Sequence, residues 1–225
     1  MNALLLLIRK EALVELRAQE LVVFLGGISL LFALVISIGI ESSFLHPSSV
    51  LKVYPSLVWL AFLCAATVAV GRAMDYEFRG GALIGLMVGG VSLEAVYLAK
   101  VVTLSVILFV VYAGVSVVIG GLLSVPVFDA LSPLLLTALP GILSFAALSL
   151  IVSAMTEGGR GRSLLLPILL LPLLVPIFAI GMENSHQVFT QHVAVNEVSG
   201  YTAAWLMALL YVLLGTALFP KVVRE

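Results

Sequence analysis

Residues 101–125 read VVTLSVILFVVYAGVSVVIGGLLSV and contain no Asp, Glu, Lys or Arg. A helix rises ~1.5 Å per residue and the hydrocarbon core of a bilayer is ~30 Å thick, so about 20 such residues suffice to cross it. Working outward, five further stretches pass the same test: 21–40, 53–71, 132–156, 163–182 and 198–220. A seventh apolar stretch, Ala82 to Ser92, is too short to span. Backbone polar groups in lipid must be satisfied within a segment or a closed barrel, and long unbroken apolar runs fit helices rather than alternating barrel strands. The expected fold class is all-α, a polytopic membrane protein with six transmembrane helices forming one permease domain over 1–225.

The rest of the chain agrees with that solvent. It has 225 residues, 62% of them hydrophobic and 10% charged, whereas a soluble domain is about 25% charged. Its mean hydropathy is +1.25. A net charge of −1 gives no footprint for nucleic acid or for an acidic substrate. The one cysteine, Cys64, lies in an apolar run and reads as a small buried hydrophobe.

The distribution of charge sets the orientation. Cytoplasmic loops keep Lys and Arg, and with the N-terminus inside that side collects Arg9, Lys10, Arg17, Arg72, Arg79, Lys100, Arg160, Arg162, Lys221 and Arg224. Only Lys52 of the 11 basic residues falls outside. Both ends are therefore expected in the cytoplasm. Leu4 to Ile8 precede Arg9 and Lys10, the reverse of a signal peptide, so no cleavage is expected. Residues 2–20 place Leu5, Ala12, Leu13 and Leu16 roughly on one face and read as an interfacial helix leading into the first span.

Motifs for chemistry are missing. The dipeptide Gly-Lys does not occur, which removes a phosphate-cradling G-x-x-x-x-G-K-[ST] loop, and neither H-E-x-x-H nor G-x-S-x-G is present. No catalytic residue and no metal site is assigned. His46, His186 and His192 are expected in outer loops. The six spans lack the titratable groups that proton or ion relays use. The hydroxyls Thr67, Ser105, Ser116, Thr137 and Ser149 read first as residues of close helix packing.

Residues 72–100 are the most informative polar stretch. Asp75, Glu77 and Arg79 precede the apolar segment that is too short to cross. Gly81, Gly85 and Gly89 recur every four residues, which suits either a close helix contact or a flexible loop. Ser92 sits where an N-cap is wanted and Glu94 where the helix dipole favours a carboxylate. In the fifth span Pro167, Pro172 and Pro176 each remove a backbone bond, so a kinked or broken helix is expected, serving either structure alone or a gate.

Two blocks carry a family resemblance. Trp59, Arg72, Asp75, Glu77, Gly80, Gly81, Ala99 and Lys100 resemble the permease subunit of the cytochrome c maturation haem exporter, the CcmB family. Pro167, Leu171, Pro172, Leu173, Leu174, Pro176, Ile177, Phe178 and Gly181 look like that family's proline-punctuated fifth span. The chain departs where the family continues its acidic run, placing Arg79 and then Ala82, Leu83, Ile84 and Gly85. The resemblance implies a non-catalytic subunit of an ATP-binding cassette transporter in a bacterial inner membrane or its equivalent. ATP would be hydrolysed on a separate cytoplasmic ATPase, haem would be cargo rather than a cofactor held by this chain, and other cytochrome c maturation membrane proteins would be partners. A second permease half is expected because six helices look like half of a cassette transporter. The residues themselves leave open an exporter of a lipid or drug, or a scaffold that moves nothing.

The expected ATPase-docking element is 75–87. It joins a charged start (Asp75, Glu77, Arg79), an aromatic pair (Tyr76, Phe78), Gly80 and Gly81, and an apolar end with Leu83, Ile84, Leu86 and Met87. Apolar anchors supply affinity at interfaces and charges set orientation. The competing reading makes the aromatics headgroup anchors.

Overall fold

The structure, a computed structural model, describes residues 20–42, 47–79, 92–155 and 162–224. Six long helices occupy them: α1 Glu20–Ser42, α2 Pro47–Arg79, α3 Leu93–Leu122, α4 Leu131–Met155, α5 Arg162–Gln191 and α6 Tyr201–Arg224. Short 3-10 turns at Val127–Asp129 and Val195–Glu197 join α3 to α4 and α5 to α6. There is no strand among the described residues. Four helical segments among them are long and apolar enough to cross a membrane: Ser49–Thr67, Leu93–Leu122, Leu131–Met155 and Tyr201–Val223.

The bundle is organised around α4, the most enclosed of these segments, whereas α6 is the most exposed. α4 packs mainly on α5 and α6. Its sequence explains the position: Ala138, Gly141, Ser144, Ala146, Ala147, Ser149, Ser153 and Ala154 are buried along it, and small residues let membrane helices approach closely. Large side chains from the neighbours fill the space that these leave, among them Trp59, Phe62, Tyr97 and Tyr112, all with no exposed surface. α6 turns Leu206, Leu209, Leu210, Leu213 and Leu214 outward, as a lipid-facing helix does.

The hydroxyls mostly follow the packing reading. Thr67 donates to the Leu63 carbonyl at 2.7 Å, Ser116 to Tyr112 at 2.7 Å and Ser149 to Ala146 at 3.0 Å, each within its own helix. Thr137 bonds the Pro133 and Leu134 carbonyls. Such back-bonding satisfies a hydroxyl where no water is available.

Two expectations change. α5 runs unbroken from Arg162 to Gln191 through Pro167, Pro172 and Pro176, so the broken form does not occur. A proline deletes one bond at a time, and in lipid the remaining backbone groups have no alternative partner, which favours keeping the helix. α5 also continues nine residues past Met182, which puts His186 on a helix rather than in a loop. The polar sequence Glu183-Asn184-Ser185-His186-Gln187 marks the limit of apolar surface, not the end of the helix. Gln187 donates to Glu183 one turn back at 2.8 Å, supporting the extension.

At the other end α2 likewise continues beyond the apolar run to Arg79, so residues 75–79 are helical rather than a loop. α3 starts as expected: the Ser92 hydroxyl accepts from the Ala95 amide at 3.4 Å, with Glu94 in the first turn. The interfacial helix expected over 2–20 lies, but for Glu20, outside the described residues, as do His46, residues 80–91 and residues 156–161.

Candidate functional site

Three places along the bundle could carry function. The first is the end where α2 finishes at Arg79 and α3 begins behind Ser92. Its described basic residues are Arg72, Arg79, Lys100, Arg162, Lys221 and Arg224, while the opposite end has Lys52. Of the residues expected to dock an ATPase, Asp75, Tyr76, Glu77, Phe78 and Arg79 belong to α2's last turns, and their side chains lie outside the description. Gly80, Gly81, Leu83, Ile84, Leu86 and Met87 lie outside the described residues altogether. Lys100 is 93% removed from solvent on α3, so it is enclosed rather than a free edge charge. Tyr97, one turn earlier, ties three helices together: its hydroxyl donates to the Ala147 carbonyl of α4 at 3.0 Å, its ring meets Phe219 of α6 at 5.3 Å, and it presses on Gly215.

The second place is the aromatic centre. Trp59 of α2 touches Phe62, Tyr112 and Phe178 at ring distances of 5.8, 5.1 and 5.2 Å. Its indole nitrogen donates to the Ser185 hydroxyl of α5 at 2.9 Å. Gly141 and Gly181 form the walls, since a Cβ on either would come within 2.7 Å of the indole. Beside it Tyr112 faces Ser185 without closing a well-formed hydrogen bond. The fully buried Asn184 amide has no partner for its oxygen or nitrogen among the described residues, and Gly200 packs directly on it. Trp59 was legible as a notable residue in the sequence; the polar group around it was not, because Asn184 and Ser185 read as loop residues. Pro172 and Pro176 are exposed on the outside of α5, away from this centre, and the Pro167 side chain is not described.

The third place is a cavity of about 310 Å³ at the end opposite Arg79, lined by Leu51, Lys52, Pro126, Asp129, Ala130, Phe189, Thr190 and His192. Tyr54 packs behind the lining residue Phe189, its ring 4.7 Å from that ring and its hydroxyl donating to the Ser116 carbonyl at 2.7 Å. The half-buried His186 lies a turn below, with Thr190 donating to its carbonyl at 2.6 Å. Among the described residues no group of three or more His, Cys, Asp or Glu side chains could hold a metal ion.

This bundle, with all but one of its described basic residues toward one end, can be set beside known proteins. A family model described as CcmB protein matches residues 2–222. The chain belongs to the CcmB family. Heme exporter protein B of Pseudomonas aeruginosa is 29% identical over 180 residues, covering 79% of this chain and 77% of that protein. The CcmB match takes in all three places described above, and the resemblance first carried by Trp59 and the proline-rich fifth helix extends over nearly the whole sequence. This is a membrane-transport family, and the apolar helices are those of a multi-pass membrane protein.

Proposed function

We propose that this chain is the membrane permease subunit of a haem-export complex serving c-type cytochrome biogenesis, driven by a separate cytoplasmic ATP-binding cassette ATPase. The observation that carries the proposal is the CcmB match across residues 2–222, together with the similarity to a heme exporter protein B. The absence of a Gly-Lys dipeptide supports a borrowed motor, because the usual phosphate loop needs that lysine.

All six long helices span the bilayer in this reading, with both ends in the cytoplasm of a bacterial inner membrane or its equivalent. The placement of all but one of the described basic residues toward one end of the bundle supports that orientation. The ATPase docks on the last turns of α2 and the residues that follow, Asp75 to Met87. Helical continuation through Arg79 gives this element a rigid lever into the aromatic centre, since Trp59 lies on the same helix. Haem is cargo, no cofactor resides in the chain, and a second permease half completes the pathway.

Purification of the tagged chain in mild detergent tests the proposal. A cassette ATPase and cytochrome c maturation proteins should accompany it, with haem in the preparation. An intact chain that retains none of them overturns the assignment.

A further inference from the structure

The 310 Å³ cavity is small for a ligand site, near the bottom of the usual ~300–1,000 Å³ range, but its chemistry is specific. Lys52 supplies one positive charge and Asp129 one negative charge. The two come from separate elements, the start of α2 and the 3-10 turn before α4, and among the described residues they are not paired to each other. Between and below them the walls are apolar: Leu51, Pro126, Ala130 and Phe189. Thr190 and His192 add hydrogen-bonding groups, and His192 is held in the left-handed backbone region at φ 53°.

The depth of the cavity is marked by aromatic residues. Phe128, beside Asp129, is 77% exposed, and Trp205, stacked edge-on with Tyr201 at 6.3 Å, is 40% exposed at the start of α6. Exposed aromatic side chains at the ends of membrane helices sit at the level of lipid headgroups. A cavity at that level with one cation, one anion and an apolar floor matches a zwitterion attached to an apolar body.

We infer that this cavity binds the headgroup of a zwitterionic aminophospholipid, with the phosphate on Lys52, the ammonium on Asp129 and the upper acyl chain along Leu51, Ala130 and Phe189. An anionic lipid lacks the ammonium and meets Asp129 as a like charge. Haem fits less well, because its two carboxylates would find one cation and the same repelling carboxylate. The site is independent of the cargo and goes beyond the transport role.

Native mass spectrometry of the full chain in mild detergent, with dioleoyl phosphatidylethanolamine or dioleoyl phosphatidylglycerol added, tests this. One phosphatidylethanolamine should remain bound under activation that strips phosphatidylglycerol. Asp129→Asn should lower that preference about two- to fivefold, the range for an exposed ion pair, and Lys52→Gln should weaken both lipids. Both side chains are exposed, and unchanged thermal melting confirms that each variant is folded. Equal retention of the two lipids, unaltered by either substitution, overturns the site as a non-selective lipid contact. Displacement of the lipid by added haem, with tighter haem binding in Asp129→Asn, overturns it in favour of a porphyrin.

Discussion

The indole nitrogen of Trp59 and the hydroxyl of Ser185 meet at 2.9 Å across α2 and α5, 126 residues apart in the chain and shut off from solvent. The contact requires two glycines. Gly141 on α4 and Gly181 on α5 leave the indole its width, so this polar bond exists only because two other positions carry no side chain.

Adding a methyl group at either wall should therefore be costly. Gly141→Ala or Gly181→Ala is expected to destabilise the protein by ~1–3 kcal/mol, the usual cost of overpacking, measured as a lowered melting temperature in detergent. Gly114→Ala, where a Cβ meets nothing within 4 Å, is the control and should leave stability nearly unchanged. Equal melting for all three variants would show that the indole is loosely held.

Topology can be read with single cysteines in a Cys64→Ala background. Asn196→Cys, in the turn between α5 and α6, should react with a membrane-impermeant maleimide from the outer side in intact cells, and Lys221→Cys only after the membrane is opened. Asn184 is unsuitable as a reporter position because it is buried inside α5. Outer labelling of Lys221→Cys would reverse the orientation.

His186 and His192 are expected to matter little for transport. His186 is a half-buried helical residue bonded locally to Thr190, and His192 lines a cavity where, among the described residues, it and Asp129 do not belong to any group of three potential metal ligands. Replacing both with Ala should leave haem delivery largely intact at normal protein level, followed by haem attachment to a reporter c-type cytochrome. Loss of attachment with the protein still present would give them a direct role.

Much of this fold could be read from composition alone. The uncharged run Ser132 to Thr156 closely overlaps α4, since an apolar solvent writes its length into a run of uncharged residues, whereas α3 begins at Leu93, well before the run at Val101. Ser92 was legible because a capping hydroxyl is a local signal. Helix ends in water were not: α2 and α5 continue through Asp75 and Glu183, and charge marks the membrane boundary rather than the last hydrogen bond. The cavity formed by Lys52, Asp129 and His192 was hidden for another reason. Its residues belong to the start of α2, the turn before α4 and the connection after α5, and only tertiary packing brings them together.

The docking element can be tested at Glu77 and Phe78, on the last turns of α2. The decisive measurement is ATP hydrolysis by the purified complex in lipid nanodiscs, with the amount of ATPase retained on the tagged permease determined in the same preparation. Wild-type permease should hold the ATPase and stimulate it. Phe78→Ala combined with Glu77→Lys should release it and abolish the stimulation, while the permease still inserts and accumulates, because a lost apolar anchor and a reversed orienting charge remove both parts of the interface. An ATPase that stays bound and stimulated by the double variant would contradict docking at this element, and wild-type permease that never retains an ATPase would contradict the account as a whole.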